Sequence, residues 1–68
     1  MIKVLLVEDN VKISENIIEY LKNDVDIEPI YNGKDAMDLL DLYDYDIVVL
    51  DLMLPGADGM TVLNHISK

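Results

Sequence analysis

The sequence predicts an α/β fold of three consecutive strand-helix units, (βα)3, and three observations predict it. Two short, continuous apolar runs, Val4 to Val7 and Ile47 to Leu50, have the pattern of strands covered on both faces of a parallel sheet, and both read as central. Between them the apolar period lengthens to that of amphipathic helices. Each run then ends in carboxylates, Glu8-Asp9 after the first and Asp51 after the second, at the strand ends where open α/β sheets place their sites.

The elements follow in order. Ile2-Lys3-Val4-Leu5-Leu6-Val7 forms the first strand. Ile13, Ile17 and Leu21 recur at helical spacing, with Ile18 widening the stripe and Glu15, Glu19 and Lys22 outside it, so a helix runs from about Val11 to Asn23 with Asn10 as its cap. Asp26 to Tyr31 is a weaker strand; Pro29 has no N–H to donate and belongs at a sheet edge. Asn32-Gly33 punctuates the chain and Asn32 caps a second helix, whose stripe is Ala36, Met37, Leu39, Leu40 and Tyr43. After the Ile47 to Leu50 strand, Pro55-Gly56-Ala57-Asp58-Gly59 is a turn. Met60, Val62, Leu63 and Ile66 then mark a third, short helix capped by Asp58. Strands alternating with helices imply right-handed crossovers onto a parallel sheet. No repeat or linker interrupts residues 1–68, which read as one domain.

Composition narrows the function. A domain near 68 residues buries only ~60% of its unfolded surface, so its stability is marginal. The hydrophobic share of 51% is too high for a disordered segment. There is no cysteine, which removes disulfides, thiolate zinc sites and a Cys nucleophile. No apolar stretch approaches the ~18 residues of a membrane span, and Met1-Ile2-Lys3 enters a strand without a signal-peptide cleavage site, so the expectation is a cytoplasmic protein without membrane contact. Five Lys, no Arg and fourteen acidic residues give a net charge of −9, which argues against direct nucleic-acid binding and favours cations or basic partner surfaces.

Asp51 at a strand mouth is a phosphate acceptor, a metal ligand or a helix cap, and Glu8 and Asp9 bear on the choice. If the first and third strands are neighbours, their ends lie ~5 Å apart and the three carboxylates converge. Converging carboxylates repel unless something positive sits among them. A hard divalent cation answers this, and Mg2+ takes oxygen ligands from carboxylates, waters and phosphate. A carboxylate also attacks phosphoryl groups, with a bound cation neutralising the charge on the transferring oxygens. Other residues have plainer roles. Glu8 and Asp9 also favour the positive end of the first helix, worth ~0.3 to 1 kcal/mol. The run Asp35, Asp38, Asp41, Asp44 and Asp46 lacks the EF-hand spacing and its closing Glu, and reads as a solvated helix face. His65 reads as a surface residue without an acidic partner at sequence-readable spacing. Met37, Met53 and Met60 read as core or loop packing.

Leu6-Val7-Glu8-Asp9-Asn10, Asn32-Gly33 and the run from Asp46 through Asp51 to Gly59 together resemble the receiver domain of bacterial two-component response regulators, over the whole chain. The resemblance implies a flavodoxin-like fold, with the three strands in order 2-1-3, and phosphotransfer from a histidine kinase. It places Asp51 at the phosphoacceptor position, Glu8 and Asp9 at the Mg2+ site, and Met53 as the residue lending a backbone carbonyl to the metal. The receiver pattern continues past Lys68 with two further strands and helices, which carry a Ser or Thr, a Lys and an aromatic residue of the site. The expectation is therefore a receiver half-domain, not an enzyme, with slow or absent phosphorylation at Asp51. An open apolar edge on the third strand and a bare sheet face beside the first helix predict completion by self-association into a homodimer or higher oligomer. Two functions follow: a phosphoacceptor signalling module, or a half-domain whose competence is folding and assembly. A dehalogenase-like phosphatase would need a second Asp two residues after the first, where Met53 stands.

Overall fold

A computed structural model of the chain describes residues 1–51 and 59–67. The elements are β1 (Lys3–Val7), α1 (Val11–Leu21), β2 (Asp26–Ile30), α2 (Gly33–Leu42), β3 (Ile47–Leu50) and α3 (Gly59–Ile66). The strands form one parallel sheet in the order β2-β1-β3, so the architecture is the flavodoxin-like arrangement that the resemblance implies. In register, Leu5 lies between Glu28 and Val48, and Val7 between Ile30 and Leu50.

The chain winds from β1 outward to β2, then back across β1 to β3. Right-handed crossovers in opposite directions put α1 on one face of the sheet and α2 on the other. The α2 face holds the core: Leu5 and Val7 are fully buried with Ala36, and Ile30, Leu39, Leu40, Tyr45, Val48 and Leu50 pack around them. α3 packs on α2 and buries Val62. Side chains alternate across a strand, so Val4 and Leu6 serve the opposite face, where α1 lies against β2.

Two sequence expectations about this second face are corrected. β3 is not central: among the described residues it pairs with β1 alone, and Ile47 and Val49 remain 46% and 44% exposed. Ile47-Val48-Val49-Leu50 reads as doubly covered because all four side chains are apolar, but α1 sits over β2 and leaves the β3 side of its face open. The apolar stripe of α1 is also rotated. Ile13 is 47% exposed, whereas Ser14 is fully buried, so the inward face runs through Ser14, Ile17, Ile18 and Leu21. A spacing of three and four starting at residue 14 places those four on one stripe. Among the described residues the Ser14 hydroxyl has no hydrogen-bond partner.

The caps of the first two helices hold as expected. Asn10 accepts from the Ile13 N–H at 3.1 Å, and α1 ends at Leu21, two residues before the predicted Asn23. At α2, Asn32 Oδ1 accepts the Asp35 N–H at 2.9 Å and its Nδ2 donates to Asp35 Oδ2 at 2.8 Å. Asn32→Ala removes both bonds, and the expected outcome is a loss of about 1 kcal/mol in urea unfolding; an unchanged midpoint would refute the capping role. The turn at Pro55, the Asp58 cap and Met53 lie outside the described residues. Met60 is exposed on α3 rather than packed.

At the other end of the strands, Tyr45 donates its hydroxyl to Glu28 Oε1 at 2.8 Å, and Lys3 Nζ lies 5.2 Å from the Tyr45 ring centre and 5.6 Å from that of Tyr43. Burial, and then the Glu28 bond, push the Tyr45 hydroxyl up to about 12. The Lys3 N–H also donates to Asp46 Oδ2 at 2.8 Å. This cluster ties the entry to β3 onto β1 and β2.

Candidate metal and phosphoacceptor site

The winding reverses between β1 and β3, and the carboxyl ends of these two strands define the crevice. Both ends are held by the ladder extended one residue past each strand. The Glu8 N–H donates to the Ile30 carbonyl at 3.1 Å, and the Asp51 N–H donates to the Val7 carbonyl at 3.0 Å. The backbones of the two acidic residues are therefore fixed by β2 and β1.

Glu8, Asp9 and Asp51 each offer a carboxylate oxygen, and these oxygens all lie within 4.8 Å of one another. Glu8 and Asp51 are half-buried and Asp9 is exposed. Desolvation raises the Glu8 carboxyl above its ordinary range, and a hydrogen bond with the Asp51 side chain and that group's charge push it further; the charge of Asp9 adds to the effect, while a backbone bond from Asn10 opposes it. The cluster thus favours a proton or a cation among its oxygens.

The donor set is all oxygen, with no cysteine in the chain, and suits a hard divalent cation such as Mg2+. Two open grooves of 370 and 330 Å3 lie elsewhere, one beside Ile18 and Ile27 and the other beside Asp41 and His65. Neither groove is lined by the three carboxylates.

The sequence-derived trio converges, while Met53 lies outside the described residues. One contact escaped sequence reading. His65 Nε2 lies 2.7 Å from Asp41 Oδ1 and links α3 to α2. The two residues are 24 positions apart, and no local pattern signals their pairing.

The structure is thus a three-stranded parallel α/β unit with three carboxylates gathered at its topological switch point. The profile of the response regulator receiver domain matches residues 4–68, and the chain belongs to that family, the receiver class of two-component signalling. The chain is 35% identical over 68 residues to the transcriptional regulatory protein CiaR of Streptococcus pneumoniae (strain ATCC BAA-255 / R6), covering all of this chain and 30% of CiaR. The receiver domain of the Francisella response regulator 1452 superposes with a TM-score of 0.93 at 31% identity, covering 98% of this chain and 56% of that one. A structure of the histidine kinase ThkA in complex with the response regulator protein TrrA gives a TM-score of 0.88 at 33% identity, covering 97% and 58%. The chain therefore spans under a third of that curated relative and little more than half of these structural ones. Among the described residues, no helix is long and apolar enough to cross a membrane.

Proposed function

We propose that Asp51 accepts a phosphoryl group from a phosphohistidine of a histidine kinase, at a Mg2+ site formed by Glu8, Asp9, Asp51 and the Met53 backbone carbonyl, in the cytoplasm. The observation that carries this reading is the approach of three carboxylate oxygens to within 4.8 Å at the switch point. A kinase bound to a similar regulator supports the choice of donor. When bound, Mg2+ offsets negative charge on the transferring oxygens.

The chain's own part is positional. The Asp51 carboxylate is the nucleophile: its oxygen bonds to phosphorus as the phosphorus–nitrogen bond breaks, and the imidazole leaves with the electron pair. The Asp51 N–H, donated to Val7, sets where that carboxylate starts. Glu8 and Asp9 keep the site anionic enough to hold a cation against water.

The test is incubation of the chain with Mg2+ and a small-molecule phosphodonor, followed by intact mass. A slowly formed, acid-stable and base-labile phosphoryl adduct is expected in the wild type and lost in Asp51→Asn. An adduct that persists in the variant, or none in either chain, overturns the reading.

A second reading, assembly through a second copy of the chain, is favoured by the exposure of Ile47 and Val49 on the sheet face that α1 leaves open at β3, the edge strand among the described residues. A flat apolar strand edge pairs readily, and a lysine on it opposes pairing. Light scattering is expected to give a mass above the monomer. Val49→Lys should return the chain to the monomer without unfolding it, because Val49 is not in the core. A wild-type chain that is monomeric at every concentration removes this reading.

A further inference from the structure

We propose that Asn32 is a self-modification site, at which the side-chain amide hydrolyses through a cyclic imide and turns its attraction to the Asp35 side chain into repulsion. The proposal is independent of the phosphoacceptor assignment. Five asparagines occur in the chain, and Asn32 alone is followed by glycine; the others precede Val11, Ile17, Asp24 and His65. Gly33 has no Cβ, so nothing shields its backbone nitrogen from the neighbouring side chain. That nitrogen is the first of α2, where helical N–H groups have no partner within the helix.

The chemistry is internal apart from water. The Gly33 nitrogen gives up its proton to hydroxide and bonds to Asn32 Cγ; the Cγ–Nδ2 bond breaks, and the NH2 group takes a proton from water and leaves as ammonia, which returns the hydroxide. Water then opens the imide at either carbonyl, giving aspartate or isoaspartate at position 32.

The fold both gates this step and amplifies it. Both ends of the Asn32 amide are held by Asp35, and Gly33 is buried, so reaction follows opening of the first turn of α2. Such local opening is accessible in a domain of marginal stability. After hydrolysis, the atom that donated to Asp35 Oδ2 at 2.8 Å is replaced by a carboxylate oxygen, and two like charges face each other. Isoaspartate also lengthens the backbone between β2 and α2. Ile30, two residues before Asn32, accepts the Glu8 N–H, so the change reaches the strand that anchors the acidic site.

The test holds the folded 68-residue chain in mildly alkaline buffer, with a parallel sample in urea, and follows intact mass and peptide maps able to distinguish isoaspartate. The expected result is the amide-to-acid mass gain at Asn32, slower in the folded chain than in urea, with isoaspartate among the products. Gly33→Ala should lose the gain even in urea, where folding of the variant has no bearing. A folded chain that stays unmodified at Asn32 while the urea sample is converted overturns the proposal, as does a gain spread over the other four asparagines.

Discussion

Leu5→Ala is expected to abolish cooperative unfolding, leaving a chain without a defined transition by circular dichroism. Leu5 is fully buried on the central strand and belongs to the cluster with Val7 and Ala36. Truncating a buried leucine costs about 2 to 5 kcal/mol, through lost transfer energy and the cavity left behind. A single core in a domain this small supplies only about 3 to 5 kcal/mol of net stability. The two magnitudes are comparable, so one side chain decides whether the chain folds. A Leu5→Ala chain that keeps the wild-type urea midpoint would show that the core lies elsewhere.

Mg2+ is expected to stabilise the folded chain, with an effect that grows as pH rises. The Glu8 carboxyl is lifted above its ordinary value of 4.5, first by desolvation and then by Asp51. A carboxyl raised on folding contributes stability that is fully present below 4.5 and is lost as pH climbs through its folded value. Above that value the ionised cluster repels itself, and a cation takes the place of the lost proton. At a hundred times its Kd, a ligand that binds only the folded state adds about 2.7 kcal/mol. Asp51→Asn removes one of the repelling charges. It should therefore raise the stability of the metal-free chain at neutral pH and forfeit most of the Mg2+ response. Urea midpoints with and without Mg2+, measured from acid to neutral pH, check both statements. A Mg2+ shift that ignores pH and survives Asp51→Asn would place the bound ion away from these carboxylates.

The acidic trio was legible because strand ends are marked twice in the sequence, by an apolar run and by the charge that stops it. The run before Asp51 names the strand, and alternation of strand with helix names the face of the sheet on which its end opens. Coverage was not legible. Val48 and Val49 look alike in sequence, yet Val48 packs against the α2 core while Val49 meets solvent, a difference set by where α1 crosses. The rotation of α1 was hidden for a related reason: helical spacing fixes which residues share a stripe, whereas the packing against β2 chooses the centre of that stripe, and it chose Ser14 over Ile13. The pairing of His65 with Asp41 joins two helices through tertiary packing, which local periodicity does not encode.

The two backbone bonds that run from Glu8 to Ile30 and from Asp51 to Val7 give the site an unusual mechanical character. They are the last rungs of the same ladder that holds the sheet, so the spacing of the Glu8 and Asp51 backbones is inherited from the strands rather than set by a loop. Any motion that spreads these two backbones must first unzip the sheet from its carboxyl end. The stiffness of the acidic cluster's backbone is then the stiffness of β1 against its two neighbours, and whatever loosens the sheet's margins also loosens the spacing of Glu8 and Asp51.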